Sequence, residues 1–169
     1  LFCSSFAGRN GKREGIWKRK GKDEMADEKK RWEVDRLLEE VMEEAKSLSI
    51  PISPRISEKV VINGRAKKRF GCCRKTPQGF VIELSEALLY CEEKMIKQVL
   101  AHEILHTCQG CYNHSPKWKA YAGLMNERWG YQIKRLSSRE ELGIPEEIRW
   151  AAEQAVKYEL QCEKCGRMF

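Results

Sequence analysis

Nowhere does this chain string together the ~20 consecutive apolar residues that a bilayer-spanning helix needs, so a spanning helix is excluded over all 169 residues. The opening LFCSSFAGRN has no continuous apolar stretch of the kind an export signal carries, and a soluble, cytoplasmic protein with no membrane partner is expected. Without export, the eight cysteines are expected to be thiols or metal ligands rather than a disulfide framework. No internal repeat is present, which excludes a solenoid. Histidine is scarce: there are three, and all fall between positions 102 and 114.

The length suits one compact domain with a small appendage. The net charge of +7 suggests an acidic partner, but more than half of it lies in residues 1–24, where seven basic residues face three acids. That segment reads as a disordered basic extension and a candidate over-extension of the reading frame, since Met25 opens a better start. The expected domain spans residues 25–160, and residues 161–169 read as the start of a truncated zinc ribbon.

Apolar residues at Val34, Leu37, Leu38, Val41, Ala45 and Leu48 predict a helix over 27–48. Pro51 and Pro54 break it. Short strands are expected at 60–62, 69–74 and 79–84, the last two joined by a turn at Thr76, Pro77, Gln78 and Gly79. A helical turn from Ser85 to Tyr90 and a helix over 92–107 follow. Ser115 as cap and Pro116 behind it announce another helix, which Gly130 ends. Trp118, Tyr121 and Trp129 on its stripe read as packing rather than substrate contacts. A returning strand is expected at 131–135, then a helix opened by Pro145 with Ile148, Ala151, Ala152 and Ala155 inward, and a strand-like 158–160. The sum is an α+β architecture, a small antiparallel-type sheet packed on helices with a zincin-like helix between.

That helix carries His102-Glu103-Ile104-Leu105-His106, and His114 follows in HEILHTCQGCYNH. Histidines four apart lie one turn apart on one face and can grip one ion. Glu103 beside them is suited to a general base rather than a ligand. A loop through Gln109, Gly110 and Asn113 can return His114 to the same ion, and three imidazoles leave a tetrahedral position open, as catalytic zinc requires. Tyr112, between two ligands, is a candidate oxyanion donor.

Cys162 and Cys165 form CEKCG, the opening of a zinc knuckle and a candidate second, structural zinc site. A ribbon needs a second pair, and Cys108 with Cys111 could supply it, although truncation is the preferred account because those two sit inside the metal window. Cys72 and Cys73 are adjacent in a strand, so at most one faces the core. Arg65, Lys67, Lys68, Arg69, Arg74 and Lys75 form a basic cluster, joined by Lys117, Lys119, Lys134 and Arg135. Such a face could neutralise phosphates, or serve as a charged strand edge that resists pairing.

The stretch HEILHTCQGCYNHSPKWKAYAGLMN resembles the SprT-like zinc metalloproteases, together with RAKKRFGCCRK, FVIELSEALL, YQIKR and the CxxCG start, over about residues 31–166. The metzincin pattern is disfavoured, since the third histidine comes eight positions after His106 rather than six. The resemblance implies zinc held by His102, His106 and His114, with Glu103 as the base in peptide hydrolysis. It also implies a protein substrate, DNA as a partner, a role in repair of DNA-protein crosslinks and association with the nucleoid. The rival expectation is a non-catalytic, zinc-containing nucleic-acid-binding module.

Overall fold

A computed structural model describes residues 17–66, 69–146 and 148, with residues 17–31 described by backbone alone. The elements are α1 (Trp17–Ser47), β1 (Val61–Asn63), β2 (Gly71–Thr76), β3 (Gly79–Ser85), a 3-10 turn (Glu86–Tyr90), α2 (Glu93–Leu105) and α3 (Pro116–Trp129). The architecture is α+β, as expected. Helix α1 begins at Trp17 rather than at residue 27, because lysines, arginines and acids add one backbone bond per residue at little cost once a helix exists.

Helix α1 packs on α2 through the stripe read from its spacing: Val34, Leu37, Leu38, Val41 and Ala45 are all buried, and Leu48 is partly so. From α2, Ile96, Leu100, Ala101, Ile104 and Leu105 face the same core, joined by Trp118, Ala122 and Met125 of α3 and by Ile82 and Leu84 of β3. Each large apolar side chain so buried contributes roughly 1.5–3 kcal/mol relative to an exposed one.

The three strands run in the order β1-β3-β2. Strands β2 and β3 form the expected antiparallel hairpin, with Thr76 opposite Gly79. Strand β1 pairs parallel with β3, Ile62 against Leu84, so the sheet is mixed rather than purely antiparallel. Side chains alternate across a sheet, and Glu83 therefore faces away from Ile82 and Leu84. Its carboxylate is nevertheless buried, because Asn63 Nδ2 at 2.7 Å, Arg69 Nη2 at 2.6 Å and Arg74 Nη2 at 3.3 Å close over it.

Helix α3 ends where its sequence says it should. Ser115 Oγ accepts from the Trp118 N–H at 3.2 Å, a cap worth about 1 kcal/mol, and Gly130 at φ 67° takes the left-handed closing position.

The expected strand at 131–135 is not one. Tyr131 and Ile133 are buried and Gln132 and Lys134 exposed, a strand-like alternation, but the backbone bonds to side chains of the helices. Gln98 Oε1 accepts from Gln132 N at 2.8 Å, and Asn126 accepts from Ile133 N at 2.8 Å while donating to its carbonyl at 3.2 Å. Among the described residues no strand pairs with this segment, and its backbone groups find partners on α2 and α3 instead. The helix opened by Pro145 lies outside the described residues beyond position 148, as do Tyr158–Leu160. Ile148 itself packs against the core.

Candidate metal centre

His102 sits within the last turn of α2, and His106 forms its C-cap. The chain then turns through Gly110 at φ 82°, and the Cys111 N–H donates to the Cys108 carbonyl at 3.1 Å. That turn brings His114 back against the helix. His102 Nε2 lies 3.3 Å from His106 Nε2 and 3.0 Å from His114 Nε2, and the three ligand atoms all fall within 4.8 Å of one another.

The other ring nitrogens explain what those close approaches mean. His102 Nδ1 is 2.9 Å from the Lys134 carbonyl, and His106 Nδ1 is 2.7 Å from the Cys111 carbonyl. A carbonyl can only accept, so both Nδ1 atoms carry the proton and both Nε2 atoms present lone pairs. Lone pairs facing each other at these distances repel unless a cation lies between them. Imidazole nitrogens about 2.0–2.1 Å from a tetrahedral zinc stand roughly 3.3 Å apart, so the donor set fits such an ion.

Burial lowers the His102 pKa to about 4, aided by His106 and His114, which keeps the ring neutral and able to ligate. Burial likewise lowers His114, with His106, Arg135 and Lys119 adding to the effect. Trp118 underlies the trio: its indole is 4.8, 5.7 and 4.6 Å, centroid to centroid, from rings 102, 106 and 114. Reading it as packing alone was thus incomplete.

Glu103, the next residue of α2, turns toward β2. It is buried, and its carboxylate lies against β2, where it accepts a bond from the Cys73 backbone. In the β2–β3 register Phe70 and Ser85 are a bonded pair, through Ser85 N to Phe70 O at 2.7 Å. The N–H of Cys73 therefore points out of the free edge of β2, toward Glu103. A Cβ on Gly71 would stand 2.5 Å from Glu103 Oε1 and 2.7 Å from its Cγ, so this glycine is required by close approach rather than by backbone angle. Burial pushes the Glu103 pKa up to about 7, against the opposing pull of the Cys73 N–H and Arg69. His102 and Glu103 both line a cavity of about 180 Å³ walled by Phe70, Val99, Ile133 and Leu136.

With this arrangement stands one comparison: the profile of the SprT-like family matches residues 36–137, more than half of the chain. The chain belongs to the SprT-like family. No curated protein and no solved structure matches it. The SprT-like match opens within α1 and closes just after the 131–135 segment, so it contains every element of the metal centre.

The remaining candidates of this SprT-like domain divide sharply. Tyr112 is 60% exposed, with Lys75 Nζ 5.9 Å from its ring. Arg69 and Arg74 are both engaged with Glu83, and Lys134 Nζ with Glu141 at 2.8 Å. Arg65, Lys75, Lys119 and Arg135 are exposed, and Lys117 reaches the Gln109 carbonyl at 3.1 Å. Lys67, Lys68, Cys162 and Cys165 lie outside the described residues. Cys108 and Cys111 are free thiols fully buried in the core, and burial raises the Cys108 thiol to about 12, aided by the neighbouring Cys111. Of the adjacent pair, Cys73 packs on the core. Among the described residues no helix is long and apolar enough to cross a membrane.

Sequence reasoning passed over Gly71, Gln98, Asn126 and the carbonyls of Cys111 and Lys134. Gln98 alone left a signal, a polar residue one turn before His102 on an otherwise apolar face. Backbone carbonyls leave none.

Proposed function

We propose that this SprT-like domain is a zinc-dependent peptidase, acting near DNA and on protein crosslinked to it. The observation that carries this reading is the opening of a metal-facing imidazole and a buried carboxylate, on successive residues of one helix, into one cavity. His102, His106 and His114 would hold the ion. Zinc bound there supplies Lewis acidity, which polarises a carbonyl and brings the pKa of water down to about 7.

The chain's own residues do the rest. Glu103 takes a proton from the attacking water and returns it to the leaving amine. Burial raises the proton affinity of the Glu103 carboxylate, which suits it to accept a proton and hand it on. The Cys73 N–H and the absence of a side chain at Gly71 fix where that carboxylate stands, while the Lys134 and Cys111 carbonyls keep two ligand rings aimed inward. Tyr112 would donate its phenol to the developing oxyanion. The exposed cations Arg65, Lys75, Lys119 and Arg135 would meet DNA phosphates, with Lys67 and Lys68, and affinity would fall steeply with salt.

Zinc-loaded protein assayed on casein or histone, with and without single-stranded DNA, tests the reading. Glu103→Gln should retain the metal and lose about 10²- to 10⁴-fold in cleavage rate. A zinc-bound wild type inert in both assays and indistinguishable from the variant would support a non-catalytic module instead.

A further inference from the structure

We infer that Asn126 is a positioning residue for the metal centre, holding the His102 ring through the backbone of Ile133 and Lys134. The inference rests on the metal-binding reading of the three histidines. The chain leaves α3 at Gly130 and crosses beside α2 with no neighbouring strand among the described residues. The Asn126 side chain takes the place of that strand. Its Oδ1 accepts from Ile133 N at 2.8 Å and its Nδ2 donates to Ile133 O at 3.2 Å, so one amide satisfies both backbone groups of one residue. Gln98, on the helix that carries His102, secures the preceding N–H.

The next carbonyl along, that of Lys134, is the acceptor for His102 Nδ1 at 2.9 Å. The Lys134 side chain is exposed and paired with Glu141, so it is the tethered backbone that places this carbonyl. The alternative open to an untethered ring is specific. His102 Nε2 already lies 3.0 Å from His114 Nε2 and 3.3 Å from His106 Nε2. Without the Lys134 acceptor, the proton can move to Nε2 and bond one of those nitrogens, which consumes two ligand lone pairs at once. Asn126 thus selects the tautomer that leaves the site open to a cation.

Histidine labelled with nitrogen-15 gives the test a simple spectrum, since the chain has three such residues. In the metal-free wild type, His102 should be the Nδ1–H tautomer. Asn126→Ala should shift it toward Nε2–H and weaken zinc binding, read by competition with a chelator, about ten-fold, the lower end of what loss of an outer-shell partner costs. Asn126→Asp keeps the acceptor for Ile133 N–H and loses the donor, and should fall between the two. If Asn126→Ala does not fold, Asn126→Asp decides on the same two readings. A wild-type His102 found mainly as Nε2–H would overturn the proposal, as would a folded variant with wild-type tautomer and affinity. Failure of the wild type to bind zinc at all is a separate result, and would count against the metal reading itself.

Discussion

Two extended segments flank the histidine-bearing end of α2, and the chain holds them in opposite ways. On one side β2 is fixed by a ladder to β3, and its free edge offers the Cys73 N–H to Glu103. On the other, residues 131–135 have no ladder. Side chains from α2 and α3 hold them, and they offer the Lys134 carbonyl to His102. Glu103 and His102 are thus placed by the same kind of device, a backbone group aimed at a side chain, but one is supported by regular structure and the other by single hydrogen bonds. A ladder distributes its loss over several bonds, whereas the side-chain tether concentrates it in Asn126 and Gln98.

Breaking the β2 side should give the largest effect. Gly71→Ala introduces a Cβ into space that Glu103 occupies, and displacing a catalytic group by about 1 Å can cost roughly 100-fold in rate. Zinc content should be unchanged, because the three nearest atoms to the new Cβ all belong to Glu103 rather than to a histidine. Equal loss of metal and kcat would show that the two sides are not separable.

Acid should weaken the same side next. Glu83 ties β1 to the Arg69 and Arg74 side chains of the β2 side, and the bond from Asn63, followed by Arg69, holds its pKa below the usual carboxylate value. A depressed folded pKa contributes stability that is fully present above the unfolded value of about 4.3 and is lost as pH falls through the folded one. Glu83→Gln should lower Tm at pH 6 and narrow its gap to wild type as the pH drops below about 4. A gap that stays constant with pH would remove Glu83 from the account.

The smallest effect on the metal centre itself sharpens the other side. Tyr131 begins the side-chain-held segment and donates to Glu44 Oε2 at 2.5 Å, on α1 rather than on the helix that carries His102. Tyr131→Phe should cost about 1.5–3 kcal/mol, the range for a bond to a charged group, with zinc affinity unchanged. If it weakened zinc as much as Asn126→Ala, the tether would be a general anchor rather than a device aimed at His102.

How much of this was legible before the structure depends on the range of the interaction. The α1 stripe, the hairpin, the Ser115 cap and the Gly130 stop are local patterns, set by residues within a few positions of one another, and they fell where their spacing put them. So did the trio His102, His106 and His114, because helical spacing and one turn suffice to gather them. The strand expected at 131–135 did not form: a strand pattern says which faces are buried but not what lies beside the edge. The small sheet was legible, but the direction of β1 was not, since it is decided by the path of the chain around β3.

Composition and spacing alone determined that this chain presents three imidazoles and one adjacent carboxylate on a single helix and its following loop. What only the tertiary structure decided is which nitrogen of each anchored ring bears the proton and how deeply the carboxylate is buried. Those are set by backbone groups from positions 73, 111 and 134 and by the empty place at Gly71, and every residue type carries the same backbone, so no sequence pattern could announce them.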